Sequence, residues 1–477
     1  MKRKAKIIAT IGPASSSYDV AKGLILAGVN VFRVNMSHGS HSDHNGSISN
    51  IRKASTDLNI ETAILADLQG PKIRVDKIAN HLDLARGENW AIGLSSDEAE
   101  YKEFKNKYIP TTYGNIVKDC KRGDQVLFDD GLIRAVVTEK KEKCIVINIE
   151  VGGTLKSNKG INLPDTKVSI SSFTSKDQKD LDFALDSDVD YVALSFVRTR
   201  KDVSTVQKVI DAHKNTAWII SKIENPEGIE NLDEIMEVSS AIMVARGDMG
   251  VEIGNHKVPS IQKEIIRKCN NVGIPVITAT QMLESMILNS TPTRAEANDV
   301  ANAVWDGTGV LMLSGETAVG KYPIETIKMM DKIIREAEKT PSERPLLRNV
   351  NLSNMMAPLM VSASLIAEKL NARAIISITE KGGSCLEMTR FRPINYVLGV
   401  THSLKTVRRM CLFWGISPYL LKNFDEEKNI EPDIISEVKD ELHLVDGDKI
   451  VITRGDGKIL TQGRKFSVRI ETIGLEE

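Results

Sequence analysis

Three charged residues at the ends of two short apolar runs carry the clearest chemical signal in the sequence. Lys222 and Glu224 end the run that begins at Trp218, and Asp248 ends the run that begins at Ala241. Alternate side chains of a β-strand share a face, so the Lys222 ammonium and the Glu224 carboxylate should point the same way. An ammonium beside two carboxylates suits a hard cation and a phosphate. The same residues can equally form an ion-pair cluster that caps two strands, so the rest of the chain has to decide.

The composition indicates a globular protein of several domains. The chain has 477 residues, too many for one ordinary core, and 41% of them are hydrophobic and 27% charged. Lys and Arg (63) nearly balance Asp and Glu (64), so no overall field attracts nucleic acid or an anionic membrane. Uninterrupted apolar runs stay well short of a membrane span, and the start of the chain does not resemble a signal peptide. Five scattered cysteines without metal-type spacing favour reduced thiols in a cytoplasmic protein.

Eight strand-like runs, each followed by a helix-like segment, predict an α/β protein built on a (β/α)8 TIM barrel. Three runs precede a break at Gln69-Gly70-Pro71, and five follow residue 165. Residues 1–69 and 165–340 together approach the ~250 residues typical of this fold. The predicted strands are Lys6–Gly12, Val29–Asn35, Thr62–Leu68, Val189–Phe196, Ala217–Glu224, Ala241–Asp248, Ile274–Thr280 and Gly309–Ser314.

Two further regions have residue patterns that differ from that of the barrel. Residues 70–164 show charged-apolar alternation broken by Asp-Gly and Gly-Gly turns, which predicts a small, mostly antiparallel β domain inserted after barrel strand 3. Residues 340–345 are typical of a linker. Residues 346–477 predict a C-terminal α/β domain. Its predicted elements are a helix at Met355–Leu370, a strand at Ala374–Thr379, a helix at Cys385–Phe391 and strands at Tyr396–Val400, Lys449–Thr453 and Phe466–Thr472.

Polar residues collect at the C-terminal ends of the predicted barrel strands, where barrel enzymes place their chemistry. Any one of them can be an ordinary strand cap, but such residues at the same end of seven strands indicate a site. Glu224 and Asp248 can hold Mg²⁺, while Lys222 and Arg33 supply the positive charge that phosphoryl transfer needs. Backbone N–H groups in Arg246–Gly250 can receive a carboxylate or phosphate. The full set is Arg33, Asn35, Ser37, His38, Asp67, Ser195, Lys222, Glu224, Asp248, Thr280, Ser314 and Glu316.

Seven segments resemble those of the pyruvate kinase family and occur in the family's order. The resemblance extends along the whole chain and is looser in the C-terminal domain. It implies transfer of the phosphoryl group of phosphoenolpyruvate to ADP, giving pyruvate and ATP in the last step of glycolysis. The segments are Thr10-Ile-Gly-Pro13, Asn35-Met-Ser-His-Gly39, Asp67-Leu-Gln-Gly-Pro-Lys-Ile-Arg74, Lys159-Gly-Ile-Asn-Leu-Pro164, Ser221-Lys-Ile-Glu-Asn225, Met243-Val-Ala-Arg-Gly-Asp248 and Ala279-Thr-Gln-Met-Leu-Glu-Ser285.

The resemblance implies a role for each matched residue of the barrel. Arg33 is expected to contact the transferred phosphoryl group, and Lys222 to neutralise it in the transition state. Glu224 and Asp248 are expected to hold Mg²⁺ or Mn²⁺. The backbone at Gly247 and Asp248 would receive the substrate carboxylate. Thr280 would help to protonate the enolate, although the motif does not settle which group donates the proton.

The resemblance also places the nucleotide and gives the inserted domain a purpose. Pro13, His38, Arg74 and Lys159 are expected to contact ADP or ATP. Lys159 belongs to the inserted domain, which would reach the nucleotide by closing as a lid. Such a lid excludes water during phosphoryl transfer.

Lys72 departs from the common family pattern. Many members have a glutamate at this position and require K⁺, and Asn35, Ser37, Asp67 and the Leu68 carbonyl match the usual K⁺ ligands. An ammonium at position 72 can supply the charge that K⁺ provides, so the resemblance implies the branch that does not require K⁺. The alternative is a surface lysine unconnected with the site.

The C-terminal domain contains a loop shaped like a phosphate cradle, between a predicted strand and a predicted helix. In the family this loop binds a phosphorylated sugar or nucleotide effector, and Glu380 together with the lack of a second basic residue favours a monophosphate. A plain glycine turn is the alternative. The resemblance further implies a homotetramer. The loop residues are Thr379, Lys381, Gly382, Gly383 and Ser384.

Two other functions compete with this interpretation. A magnesium-dependent aldolase or lyase of the barrel class, acting on pyruvate enolate, would share Glu224 and Asp248. It has no use for a nucleotide lid or for Lys222 facing a phosphoryl group. A catalytically inactive regulatory protein would bind a phosphometabolite only, but all the matched catalytic positions are present.

Overall fold

The strands follow the apolar runs of the sequence. The structure is a computed structural model, and it describes residues 3–340, 356–421, 430–455 and 466–474. The strands of the barrel are buried throughout or nearly so, because both faces of a parallel barrel are covered. In chain order the strands are β1 (Lys6–Ile11), β2 (Val31–Asn35), β3 (Ala63–Asp67), β4 (Leu82–Leu84), β5 (Asn89–Gly93), β6 (Tyr108–Pro110), β7 (Gln125–Phe128), β8 (Ile133–Lys140), β9 (Cys144–Val151), β10 (Gly153–Leu155), β11 (Ile161–Asn162), β12 (Tyr191–Leu194), β13 (Trp218–Ile223), β14 (Ala241–Ala245), β15 (Val276–Ala279), β16 (Val310–Leu313), β17 (Ala374–Ile378), β18 (Tyr396–Thr401), β19 (Ile416–Leu420), β20 (Lys449–Gly455) and β21 (Phe466–Thr472).

The helices begin at polar N-caps in many cases and bury one apolar face each. None of those described is both long enough and apolar enough to cross a membrane. In chain order they are α1 (Tyr18–Ala27), α2 (His41–Leu58), α3 (Ile116–Asp119), α4 (Ser175–Asp186), α5 (Arg200–Ala212), α6 (Pro226–Glu230), α7 (Leu232–Met236), α8 (Arg246–Ile253), α9 (Val258–Val272), α10 (Arg294–Trp305), α11 (Gly315–Ala318), α12 (Pro323–Ala337), α13 (Met356–Lys369), α14 (Gly383–Arg390), α15 (Leu404–Met410) and α16 (Ile430–Leu442).

Eight of the strands close into a parallel barrel, which confirms the predicted fold. The order around the barrel is β1, β2, β3, β12, β13, β14, β15 and β16, and β16 pairs with β1 to complete it. The predicted strand that ran through Asp248 is wrong, because β14 ends at Ala245 and α8 begins at Arg246. Ala245 pairs with Ala279, the last residue of β15, and Thr280 then turns away with a positive φ. Arg246 therefore has no neighbouring strand on that side to continue the ladder.

The chain leaves the barrel after β3 and returns at α4. Between them, β11, β7, β8, β9, β5 and β6 form one sheet in that order, and β10 pairs with β4 in a second. All pairs are antiparallel except β5 with β6, as the alternating pattern predicted. Residues 70–164, which contain strands β4 to β11, are called the insert below. A separate apolar core that includes Trp90, Phe128 and Ile147 holds the insert together.

The C-terminal sheet has the order β19, β18, β17, β20 and β21, parallel except for β21. The sequence did not predict β19, α15 or α16, and the predicted linker lies outside the described residues from 341 onward. This domain packs on the N-terminal ends of the barrel strands. Lys6 Nζ, at the start of β1, donates to the carbonyl of Ile416 (2.6 Å), and the Tyr191 hydroxyl, at the start of β12, donates to the carbonyl of Arg409 (2.5 Å). The C-terminal ends of the strands face the opposite side, toward the insert.

Candidate active site

The Lys222 ammonium lies at the centre of a cluster of polar side chains at the C-terminal end of the barrel. Its Nζ donates to Ser195 Oγ (2.7 Å) and lies 3.0 Å from Glu224 Oε1 and 3.4 Å from Asp67 Oδ1. Burial by itself lowers the pKa of Lys222 most strongly, but the carboxylates of Asp67, Glu224 and Asp248 outweigh it and raise the pKa above the usual value. The ammonium is therefore a permanent charge at neutral pH, with 11% of its side chain exposed to solvent.

Arg33 places a second cation beside Lys222. Its Nε donates to Asp67 Oδ2 (2.7 Å) and its Nη1 donates to Thr10 Oγ1 (3.0 Å), so the guanidinium of this β2 residue is held in one orientation. Burial pushes the pKa of Asp67 up, yet the charges of Lys222 and Arg33 prevail and hold it below its usual value. Asp67 thus stays ionised and fixes both cations on one side of the barrel mouth.

Glu224 and Asp248 fit the requirements of a divalent cation. Glu224 is fully buried, and its Oε2 accepts from the Phe196 N–H (2.6 Å). Its Oε1 lies near Lys222 without the alignment of a hydrogen bond, so one buried oxygen still lacks a hydrogen-bond partner. Burial, aided by the nearby Asp248 carboxylate, raises the pKa of Glu224 to about 7 against the opposing effect of Lys222. A cation bound between the two carboxylates would relieve this cost.

The number of candidate ligands also fits Mg²⁺. Among the described residues, no group of three or more His, Cys, Asp or Glu side chains is arranged to hold a metal. Mg²⁺ in proteins is commonly held by one or two carboxylates, with substrate oxygens and water completing its octahedron. Two carboxylates beside an open cleft match that pattern better than a closed site of three or more protein ligands would.

Thr280 occupies a backbone conformation that β-branched residues avoid. Its φ is 67°, in the left-handed region, and Gln281 follows with a φ of 54°. Thr280 Oγ1 accepts from the Gly247 N–H (2.9 Å), which ties the end of β15 to the first turn of α8. Unusual backbone angles of this kind persist where surrounding contacts hold them, and functional sites are where they cluster.

Arg246 supplies the contacts that hold this turn. Its Nε donates to the Ala279 carbonyl (3.1 Å) and its Nη2 donates to the Thr280 carbonyl (2.5 Å). Asp299, on α10, fixes the guanidinium through Nη1 at 2.9 and 2.8 Å. The Arg246 side chain and the Gly247 N–H thus both hydrogen-bond to the Thr280 turn.

Three residues considered as simple strand caps separate into two groups. Ser195 Oγ accepts from Lys222 and donates to the Leu68 carbonyl (2.7 Å), so it belongs to the Lys222 cluster. Glu316 is fully buried and accepts from the backbone N–H groups of Ser314 (2.7 Å) and Leu283 (3.1 Å). Ser314 and Glu316 therefore shape the loop after β16 and point to no ligand.

The five residues of the expected monovalent-cation region are only partly brought together. Asn35 Oδ1 accepts from the Ser37 N–H (3.2 Å), and the Leu68 carbonyl is taken by Ser195. Asp67 Oδ1 lies near the Lys222 ammonium but makes no hydrogen bond. The Lys72 side chain is exposed, and its Cε lies beside Gly160 of the insert, with no direct contact to Asn35, Ser37 or Asp67.

The expected nucleotide residues divide between the barrel and the insert. Pro13 and His38 are exposed on the barrel side. On the other side, Lys159 Nζ pairs with Asp129 Oδ1 (2.7 Å) and Arg74 Nη1 donates to the Asn158 carbonyl (2.9 Å). Both cations are thus engaged by partners within the insert.

A cavity of about 230 Å³ separates the insert from the barrel. A hydrogen bond from Asn162 Nδ2 to Glu252 Oε1 (2.8 Å) crosses it. Burial raises the pKa of Glu252 to about 7, and Asp248 adds to that effect. The sequence did not single out Glu252, because a glutamate one turn along a helix carries no signal of its own. Residues lining the cavity include Lys72, Asp130, Arg198, Asp248 and Glu252.

The candidate effector loop joins β17 to α14. Gly382 has a φ of 87°, and its N–H donates to Thr379 Oγ1 (3.0 Å), while Ser384 Oγ accepts from Ser377 (3.2 Å). Lys381 and Gly383 are exposed. The geometry is therefore a tight turn at a helix N-terminus, with one lysine beside it.

Comparison with known proteins identifies the family. The family profile described as pyruvate kinase, barrel domain, matches residues 2–327, and that described as pyruvate kinase, alpha/beta domain, matches residues 359–464. Proteins named pyruvate kinase from Staphylococcus aureus strains MRSA252, bovine RF122 / ET3-1 and USA300 are each 42% identical over 465 residues, which is 95% of this chain and 78% of theirs. With the barrel and the Lys222 cluster described above, these matches show that the chain belongs to the pyruvate kinase family of phosphotransferases.

Proposed function

We propose that this chain transfers the phosphoryl group of phosphoenolpyruvate to ADP by means of the Lys222 cluster. The observation that carries the proposal is a buried ammonium held between Asp67 and Glu224, with the Arg33 guanidinium on the same Asp67. Phosphoryl transfer depends mainly on positioning and on positive charge around the equatorial oxygens. Lys222 and Arg33 supply that charge from fixed positions.

Glu224 and Asp248 are proposed to hold Mg²⁺ or Mn²⁺ as the cofactor. The bound ion would supply positive charge to the enolate and carboxylate oxygens of the substrate. The backbone N–H groups of Gly247 and Asp248, in the first turn of α8, suit the substrate carboxylate. Gly247 N–H now donates to Thr280 Oγ1, and the Thr280 hydroxyl donates to the Ala279 carbonyl (2.6 Å), so a bound carboxylate would compete for the N–H and free one acceptor site of the hydroxyl. Thr280 then helps to deliver a proton to the enolate.

Pro13, His38, Arg74 and Lys159 are proposed to contact ADP and ATP. Lys159 and Arg74 are bonded to groups within the insert, and a nucleotide phosphate would form stronger hydrogen bonds with both. The proposed motion is closure of the insert, residues 70–164, over residues 1–69 and 165–340. Closure narrows the cleft and removes water from the transfer step.

K⁺ is proposed to be dispensable, as in the K⁺-independent branch of the family. The Leu68 carbonyl and Asn35 Oδ1 already accept hydrogen bonds, and Asp67 Oδ1 lies next to the Lys222 ammonium. Lys72 stands at the start of the insert, where closure would move it. Its ammonium is proposed to take the place of K⁺ in the closed state.

The proposal extends to regulation, assembly and location. The Thr379–Ser384 loop is proposed to bind a phosphorylated sugar or nucleotide, and residues 346–477 to act as a regulatory domain. Leu288 follows a short 3-10 helix at Glu284–Ile287, and Val319 follows α11, which contacts that helix. The two side chains are 65% and 60% exposed and suit a subunit contact within a homotetramer. All five cysteines are free and buried, which suits a reducing cytoplasm.

A coupled assay with lactate dehydrogenase tests the proposal directly. Folded protein supplied with phosphoenolpyruvate, ADP and Mg²⁺ should form pyruvate at a rate that depends on ADP. Release of pyruvate from a 4-hydroxy-2-oxo acid by cleavage to pyruvate and an aldehyde, without any from phosphoenolpyruvate and ADP, would instead favour the aldolase or lyase. No activity in folded protein, with and without candidate sugar and nucleotide effectors, would contradict the proposed function.

A further inference from the structure

The insert is joined to the barrel by two chain crossings, and one carboxylate contacts both. Asp177 Oδ1 accepts from the N–H of Gly70, where the chain leaves the barrel (3.0 Å). Its Oδ2 accepts from the N–H (2.9 Å) and the hydroxyl (2.6 Å) of Thr174, where the chain returns. Asp177 has no exposed surface, so these contacts are sheltered from water.

The outgoing crossing is fixed up to Gly70 and again from Ile73. Before it, the Leu68 N–H donates to the Ala193 carbonyl (3.0 Å) and the Leu68 carbonyl accepts from Ser195. Gly70 has a φ of 70°, and a Cβ there would lie 2.8 Å from Ser195 Cβ, so the chain passes tightly against the Lys222 cluster. From Ile73 onward the backbone pairs with the insert, beginning with the Ile161 N–H (2.9 Å). Residues 71–72, between these two fixed segments, are therefore where the backbone can rotate.

In the returning crossing the contacts to the insert and to the barrel alternate along a few residues. Ser169 still contacts the insert, through its N–H to Asp119 Oδ2 (2.7 Å). Arg198, on the barrel, already holds the carbonyls of Val168 and Ile170 at 2.5 Å each. Beyond them, Ser172 Oγ donates to Asp202 on α5 (2.7 Å). The transition from insert to barrel therefore lies in residues 168–171, just ahead of the Asp177 contact.

We infer that Asp177 is a positioning residue that anchors a hinge made of the two chain crossings. Because it is bonded to both crossings, the insert pivots as one body about residues 71–72 and 168–171. The inference rests on the proposed closure of the insert over the nucleotide. An anchored hinge limits the insert to one path of approach, which is what brings Lys159 to the same place in each closure. Without the anchor, the outgoing strand could shift independently of the returning one.

A purely structural role for Asp177 is the alternative, because Thr174 and Asp177 also form the capping box of α4. Two substitutions separate the roles. D177N keeps the size of the side chain but leaves one acceptor oxygen, which can serve Gly70 or Thr174 and not both. T174V removes the threonine hydroxyl from the cap while leaving both backbone N–H contacts to Asp177 in place, and is the matched control.

Steady-state kinetics of the full chain give the first test. D177N should raise KM for ADP at least fivefold and lower kcat at least fivefold, while KM for phosphoenolpyruvate changes less than twofold, because that substrate binds the barrel alone. T174V should stay within twofold of wild type in all three constants. Wild-type behaviour of D177N, or equal effects of D177N and T174V, would overturn the anchor.

Hydrogen exchange of the wild-type protein gives a second test that needs neither a folded variant nor activity. With single-residue readout, the Gly70 and Thr174 amides should exchange at least tenfold more slowly than the Lys72 amide. Exchange of Gly70 as fast as Lys72 would refute the anchor. An inactive wild type with a protected Gly70 would instead contradict the proposed function and leave the anchor standing.

Discussion

Replacing Lys222 with methionine tests the centre of the proposed site. Methionine keeps much of the length and apolar stem of lysine but removes the ammonium that lies 3.0 Å from Glu224 and 3.4 Å from Asp67. Asp67 retains Arg33 as a partner at 2.7 Å, whereas Glu224 loses its countercharge. The pKa of Glu224 should then rise beyond about 7, so that the group is protonated at neutral pH and binds a metal more weakly.

The magnitude follows from the two functions of the ammonium. Removing a fixed positive group from a transferring phosphoryl costs roughly 10³–10⁵ in rate, and breaking a buried ion pair costs about 3–5 kcal/mol of stability. We therefore expect kcat to fall by at least ~10³. Binding of phosphoenolpyruvate should largely survive at high Mg²⁺, because Arg33 and the Gly247 N–H remain in place.

The coupled assay gives kcat, and calorimetric titration with phosphoenolpyruvate gives the binding constant. Lys6→Met is the matched control, since Lys6 is also buried (6% exposed) but lies at the opposite end of the barrel. It should lower the thermal midpoint while the folded variant keeps kcat near that of wild type. A Lys222→Met kcat within tenfold of wild type would refute the role of the ammonium. A loss of affinity as large as the loss of kcat would show uniform binding instead of transition-state stabilisation.

Three further predictions follow. The folded-state pKa of Glu252 is raised from the usual 4.5 to about 7. Between these two values the folded protein binds a proton that the unfolded chain lacks. The free energy of unfolding therefore falls as pH rises from about 4.5 to about 7, by up to about 3 kcal/mol. Glu252→Gln keeps an acceptor for Asn162 but cannot bind this proton. The thermal midpoint of the variant minus that of wild type should therefore increase between about pH 5 and pH 8, and a constant difference would contradict the assignment. Wild-type activity should be nearly equal in tetramethylammonium and potassium buffers, and Lys72→Glu should create a K⁺ requirement; strong K⁺ activation of the wild type would disprove the proposal. Arg246→Lys cannot hold two carbonyls and Asp299 at once, so kcat should fall about 10–100-fold through misplacement of Thr280, with KM for ADP unchanged; an unaltered kcat would count against the clamp.

Local pattern was sufficient to predict the barrel and the relation between Lys222 and Glu224. Eight apolar runs of strand length, separated by amphipathic segments, leave few other arrangements. A side-chain period of two places residues 222 and 224 on one face, and the structure has their charged atoms 3.0 Å apart. Arg33 lies two residues before the end of β2, and Asp67 ends the neighbouring β3, which explains why both could be assigned to the same site from sequence order.

Local pattern could not predict contacts that depend on how the chain turns after a strand. Asp248 was expected at a strand end and lies in the first turn of α8, because β15 ends opposite Ala245. Ser195 resembled an ordinary cap, and only the packing of β12 against β13 brings it to Lys222. The surroundings of Lys72 depend on the orientation of the insert, which no short-range spacing encodes.

Closure of the barrel by its first and last strands has a consequence for how the protein is made. Lys6 pairs with Val310, so this ladder forms only after roughly 300 residues have left the ribosome. The insert is complete much earlier and has its own core, so it can fold while the barrel still has open strand edges. Pairs so distant in sequence form slowly. Refolding from denaturant should therefore be slow and sensitive to protein concentration, with the half-built barrel as the species that aggregates.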